Sequence, residues 1–190
     1  MDRLRFAAPF FLAALATSAG AEPLVRMGMS YYYIDGGSAL VLTEQMNQKG
    51  PIAADGKHYP SLTKWDVQWK YRNGVHGGTC KVEEAAVAVG VTSTLPRWRG
   101  EANGPKSLRE RWRRLLEAVG RDQGFHKELA IRAGKEIEAA LLAVKPAADC
   151  DALTEAANDT AEQILKKHRA ADEEYDRKYQ HGLKDGATLM

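Results

Sequence analysis

Between residues 107 and 145 the apolar side chains recur in steps of three and four: Trp112, Leu115, Val119, then Leu129, Ala133, Ile137, Leu141 and Val144. That spacing is the period of one helix face, and it predicts a long helix with a buried stripe. Two positions inside the stripe are polar, Asp122 and His126. Four residues apart, they stand one turn from each other, about 6 Å along the axis, and point the same way. A carboxylate facing a core without a partner costs several kcal/mol. Asp122 therefore calls for a metal ion, a buried partner such as an arginine, or a rim position in water. An acid and an imidazole at this spacing can share a metal ion. Gly120 and Gly124 weaken the middle of the pattern by about 1 kcal/mol each relative to alanine, which allows two helices broken near residue 120. Ser107 is the expected cap, and Pro146 ends the segment.

The chain ahead of this helix reads as strands. Ser30-Tyr31-Tyr32-Tyr33-Ile34 is aromatic and β-branched, and Asp35-Gly36-Gly37 stops it. Ser38 is positioned to cap a short helix through Leu40, Leu42 and Met46. Trp65, Val67, Trp69 and Tyr71 alternate with period two, the clearest strand pattern in the chain. Turn residues follow at Asn73-Gly74 and Gly77-Gly78, and a second long strand carries Val82, Val87, Val89 and Val91. After Pro146, Asp151 is the expected cap of a last helix that places Leu153, Ala157, Thr160, Ile164, His168, Ala171 and Tyr175 on one face and ends at Gly182. A lone histidine on such a face is usually a satisfied core residue, which is the reading for His168. Strands and helices are segregated along the chain. That argues an α+β fold, a small antiparallel sheet followed by a helical hairpin.

The first residues have a different character. Arg3 and Arg5 precede an apolar run over residues 6–17, and Ala19-Gly20-Ala21 is a small-x-small cleavage site before Glu22-Pro23. This is the pattern of a secretory signal peptide over residues 1–21, cleaved between Ala21 and Glu22, with a single domain over residues 22–190. The alternative is a short membrane anchor, but a dozen apolar residues fall short of the roughly 20 that a spanning helix needs. No later stretch is long and apolar enough to span. Removing Asp2, Arg3 and Arg5 takes the formal net charge from +2 to +1. So balanced a chain has no electrostatic case for nucleic acid or for an anionic membrane surface. The expected location is the periplasm or the exterior. There the two cysteines, Cys80 and Cys150, most simply pair with each other. Two free thiols, or a thiolate metal ligand, are the alternatives, and no Cys-x-x-Cys spacing supports the latter.

Asp122-Gln123-x-x-His126, followed by Leu129, Ala130, Ala133, Gly134 and Ile137, resembles the metal helix of the bacterial domain-of-unknown-function 922 family, whose members are predicted to be secreted zinc-dependent proteases. That family carries His-Glu-x-x-His at this place and ends in Tyr-Asp-x-x-Thr-x-His-Gly. Here the end reads Tyr175-Asp176, then Tyr179, His181 and Gly182. The tyrosine-rich strand, the tryptophan-rich strand and the Cys80 strand ending at Leu95-Pro96 are also similar, so the resemblance covers residues 25–188. It implies a zincin-like arrangement, with His126 as the second motif histidine and His181 as a third ligand. Asp122 stands where the first histidine belongs, Gln123 where the glutamate belongs, and Tyr179 where the threonine belongs.

These departures bear on the chemistry. In the intact motif two histidines and a third group hold zinc, and the glutamate takes a proton from bound water. Asp122, His126 and His181 are still a reasonable ligand set for Zn²⁺. Gln123, at the catalytic position, cannot act as a general base, because an amide does not accept the proton at neutral pH. Glu128 lies on another helix face. Three readings stand side by side: a protease that still hydrolyses through another base; an inactive member that keeps metal or the cleft and binds a peptide or an envelope protein; and a structural secreted domain in which Asp122 and His126 satisfy each other. The family implies a metallopeptidase, whereas Gln123 argues for weak or no catalysis.

Overall fold

The computed structural model describes residues 22–190. The expected signal segment and Ala21 lie outside the described residues. The chain runs β1 (Leu24–Ile34), α1 (Ala39–Lys49), β2 (Leu62–His76), β3 (Thr79–Trp98), α2 (Lys106–Leu142) and α3 (Cys150–Tyr179). A single 3-10 turn, Leu183–Asp185, follows α3. None of the described helices is long and apolar enough to cross a membrane.

The fold is α+β, and its sheet has three strands in the order β1-β3-β2. β2 and β3 form the expected hairpin. The turn is Gly77-Gly78, both at positive φ (57° and 82°), the backbone that a two-residue hairpin loop requires. Asn73 and Gly74 stay inside β2, where the pairing register shifts. The sheet is mixed rather than antiparallel, because β1 lies parallel to β3. α1 and the loop after it return the chain so that β3 enters between β1 and β2. β3 is thus hydrogen-bonded on both sides, which suits its run of buried Val87, Val89 and Val91. β1 starts at Leu24, earlier than its tyrosines suggest. It is an edge strand with most side chains exposed, so its first half carries little periodic signal.

α2 is one continuous helix of 37 residues, with no break at Gly120 or Gly124. Its start is Pro105 rather than Ser107, and α3 is capped by Asp149 rather than Asp151, which lies inside the first turn; Asp149 accepts from the Ala152 N–H (2.8 Å). The stripe on α2 serves two cores. Toward its N-terminus Trp112, Leu115 and Val119 pack with Ile34, Leu42, Met46 and Trp98. Toward its C-terminus Ala130, Ala133, Ile137 and Leu141 pack on Trp65, Val67, Val89 and Val91, and on Ala157 and Ala161 of α3. Asp122 and His126 fall between these two cores.

Two further links close the fold. Cys80 and Cys150 form a disulfide with their Cα atoms 5.2 Å apart, joining the start of β3 to the first turn of α3. The chain-entropy account assigns about 4 kcal/mol to closing a loop of this length. After α3 the tail turns back along α2. Ala187 and Leu189 are buried in the first core, and Arg111 and Arg121 donate to the carbonyls of Leu189 and Asp185.

Candidate metal centre

Two helices each contribute a pair of polar side chains four residues apart. Asp122 and His126 project from α2, and Asp172 and Asp176 project from α3 to meet them. His126 is held at both ring nitrogens. Nδ1 lies 2.8 Å from Asp172 Oδ1, while Nε2 lies 3.3 Å from Asp176 Oδ1 and 3.7 Å from Asp122 Oδ2. Asp122, His126 and Asp176 each offer a ligand atom within 4.8 Å of the other two, the spacing of groups around one cation. Asp122 and His126 are only 2% and 3% exposed.

His181 approaches from the returning tail. Its Nδ1 is 3.0 Å from Asp176 Oδ1, and its ring packs on Tyr59 with centroids 4.0 Å apart. This position rests on an unusual backbone. Gln180, His181 and Gly182 all sit in the left-handed region, at φ of 52°, 51° and 81°. For the two residues with side chains that conformation costs about 1–2 kcal/mol each. At Gly182 a side chain would also press on Asp122, whose Cβ and Cγ lie 3.3 Å from where a Cβ would stand. The tail is therefore seated against the site by a glycine whose left-handed backbone and close approach to Asp122 both disfavour a side chain.

Not every acceptor in the cluster is satisfied. Asp122 Oδ1 and Asp176 Oδ1 are both buried without a hydrogen bond of acceptable geometry, although two imidazoles lie near the latter. The charges respond to this crowding. Burial raises the Asp122 carboxyl to about 6, against the pull of His126. Burial opposes the His126 imidazolium, but the hydrogen bond to Asp172, the facing Asp176 carboxylate and the charges of Asp172 and Asp122 outweigh it and raise the imidazole to about 10. Burial would also raise Asp176, but His126 and His181 hold it down at about 2. The pocket is an anionic cage around one imidazole, and a proton on His126 is the positive charge it keeps for itself.

The aromatic wall beside the cage comes from both helices. Phe125 stacks on Tyr175 with centroids 3.6 Å apart, and both meet the His126 ring edge to face. Gln123 spends its whole amide on structure. Its Oε1 accepts from Thr63 Oγ1, and its Nε2 donates to Ser61 Oγ at 3.0 Å and to Asp122 Oδ2 at 3.3 Å. It ties α2 to the start of β2 and orients Asp122. Glu128, exposed on another face, pairs with its neighbour Lys127. His168 meets Glu136 at 2.7 Å, so it is a satisfied interhelical residue.

Gln123 also lines a groove of about 600 Å³ between the edge strand β1 and α2. Met27, Met29 and Tyr31 form one wall, Val91 and Leu95 the floor, and Gly120 and Gly124 open the other wall. Nothing lies within 4 Å of where a Cβ at either glycine would stand.

Of the residues singled out from sequence, Asp122, His126, Gln123 and His181 gather at this site, and Cys80 and Cys150 are joined. Asp172 and Asp176 were not singled out as ligands. They stand one position beyond Ala171 and Tyr175, beside the apolar stripe of α3 rather than on it. The signal that finds them is the matching step of four on the two helices of one hairpin.

The family described as "Bacterial protein of unknown function (DUF922)" matches residues 29–182, from within β1 through Gly182. No curated protein matches the chain. No solved structure matches it either.

Proposed function

The chain belongs to the DUF922 family of bacterial proteins of unknown function, and within it we propose an exported domain of zinc-protease type that holds a divalent cation but has lost its general base. The observation that carries this reading is the convergence of Asp122, His126 and Asp176 on one point, with Asp122 Oδ1 buried and without a hydrogen bond. A carboxylate oxygen so placed costs several kcal/mol unless a cation meets it. The donor set fits: two carboxylates and an imidazole are ordinary ligands for Zn²⁺. Asp122, His126 and Asp176 would hold the ion, with His181 the fourth group at hand. A divalent cation there supplies Lewis-acid polarisation of a water or a carbonyl.

The chain's own residues do the rest. Asp172 holds the His126 ring through Nδ1 and leaves Nε2 toward the two acids, the role an outer carboxylate plays for a ligating histidine. Gln123 orients Asp122 and takes no proton, so peptide hydrolysis by the usual route falls by roughly 10²–10⁴. The groove along β1 offers an unpaired strand edge and apolar walls to an extended peptide. The domain is thus read as a metal-containing peptide binder of the periplasm or the exterior, with weak or no peptidase activity. The signal pattern in residues 1–21 and the disulfide support export.

Elemental analysis of the protein purified from its exported fraction tests this reading. About one zinc or other divalent ion per chain is expected, lost in Asp122→Ala together with His126→Ala. Metal-free protein that stays metal-free after incubation with zinc would leave the alternative, a structural domain in which the His126 imidazolium alone neutralises the acids.

A further inference from the structure

His181 reaches the cage through a chain of contacts that begins in the loop between α1 and β2. That loop closes on itself. Ile52 and His58 pair as an isolated antiparallel bridge, and the Tyr59 N–H donates to the Pro51 carbonyl at 3.0 Å. Tyr59 is held at its far end too, where its hydroxyl donates to Asp55 Oδ2 at 2.8 Å. Between these anchors the side chain is buried, and its ring packs on the His181 ring with centroids 4.0 Å apart. His181 in turn presents Nδ1 to Asp176 Oδ1 at 3.0 Å. An ionised carboxylate can only accept, so the ring nitrogen facing it carries the proton and has no lone pair for a metal. Among the described residues, the ligand atoms that meet within 4.8 Å come from Asp122, His126 and Asp176, and His181 is not one of them.

We propose that His181 is a positioning residue for Asp176 rather than a fourth ligand, and that Tyr59 holds it there. The role rests on the metal-binding reading of the cage. It matches the arrangement at His126, where Asp172 holds the ring through the nitrogen turned away from Asp122 and Asp176. At Asp176 the parts are exchanged: the acid converges on the site and the imidazole steadies it from outside. Tyr59 also belongs to a row. Tyr59, Ser61 and Thr63 are alternate residues leading into β2, and all three touch the site. Ser61 and Thr63 hold the Gln123 amide, which donates to Asp122 Oδ2. One short stretch of chain thus positions both acids, Asp122 through Gln123 and Asp176 through His181.

Cobalt(II) added to chelator-stripped protein counts the bound imidazoles, because a ring on the paramagnetic ion has its N–H proton shifted far outside the ordinary NMR range. One such proton, from His126, is expected in the wild type and retained in His181→Ala. A second one that disappears in His181→Ala would make His181 a ligand and overturn the proposal. Zinc affinity, by competition with a chromophoric chelator, reads the positioning. His181→Ala and Tyr59→Leu are each expected to lose about 10–100-fold, as removal of an outer partner does. The double variant should lose no more than either single one, because both act through the same contact. Tyr59→Phe keeps the ring on His181 and should recover most of the affinity lost in Tyr59→Leu. Additive losses, or full affinity in a Tyr59→Leu protein that still melts cooperatively, would overturn the pairing of Tyr59 with His181. A wild type that takes up neither ion sinks the metal centre and this role with it, whereas binding through two shifted imidazoles sinks this role alone.

Discussion

Asp172 Oδ1 lies 2.8 Å from His126 Nδ1, on the opposite ring nitrogen from the one that faces Asp122 and Asp176. That one contact fixes the ring's orientation and decides which nitrogen can ligate. Asp172→Asn keeps the shape and removes the charge. It is expected to weaken zinc affinity about 10–100-fold, as loss of an outer partner does elsewhere. Competition against a chromophoric chelator measures it.

The cluster's titration sets the pH behaviour of the metal-free protein. The His126 pKa rises from 6.5 to about 10 on folding, so its contribution is fully present below pH 6.5 and is lost as pH climbs through 10. Asp122, raised to about 6, works in the same sense over a lower window, losing its contribution as pH rises from 3.8 through 6. Asp176, held at about 2, has the opposite sign, and its contribution is lost only as pH falls from 3.8 through 2. With a chelator present, the melting temperature is expected to fall between pH 6.5 and 10. In Asp172→Asn that fall should be smaller and should end at lower pH. Calorimetric melts across this range, with imidazole resonances followed by NMR, check it.

Two glycines on α2 and one in the tail should respond in opposite ways to alanine. Gly120 and Gly124 face open space in a helix interior, so each change to alanine should stabilise by about 1 kcal/mol, or about 2–4 °C. Gly182→Ala forces a side chain into left-handed backbone and against Asp122. It should cost about 1–2 kcal/mol and weaken zinc binding as well. Melts and chelator competition on the three variants separate the two outcomes.

Replacing both Cys80 and Cys150 by alanine should destabilise the domain by about 2–4 kcal/mol, through loss of the tie between β3 and α3. Chemical denaturation reads that loss directly. The slope with denaturant should also steepen, because an uncrosslinked chain exposes more surface on unfolding.

Restoring the motif tests what the cleft retains. Gln123→Glu combined with Asp122→His should produce measurable, metal-dependent hydrolysis of an unstructured protein substrate, absent in either single variant. The single Gln123→Glu should also destabilise, since it removes the amide donor that holds Asp122 and Ser61. Hydrolysis by gel assay, with and without chelator, is the measurement.

Much of this architecture was legible because it is periodic. The step-of-four stripe from Trp112 to Leu141 located α2 and the polar insert in it, and the alternation from Trp65 to Tyr71 located β2. What stayed hidden was not periodic. β1 is an exposed edge strand, so nothing in Leu24–Met29 announced that it would pair parallel with β3. Gly120 and Gly124 looked like a break, yet a helix packed at both ends tolerates two glycines facing a groove. Asp172 and Asp176 sit beside a stripe, among Glu173 and Glu174, where acids are usually a solvated face. Only the helical hairpin turns them toward His126.

Asp122, His126 and Asp176 are spaced to surround one cation. Calorimetric titration of zinc into chelator-stripped protein at neutral pH tests for that cation most directly, with Asp122→Asn/Asp176→Asn as the paired variant. One saturable site per chain with release of a proton, abolished in the variant, is the predicted result. No heat of binding in the wild type, together with a variant that melts higher because its unpaired buried charges are gone, would contradict it.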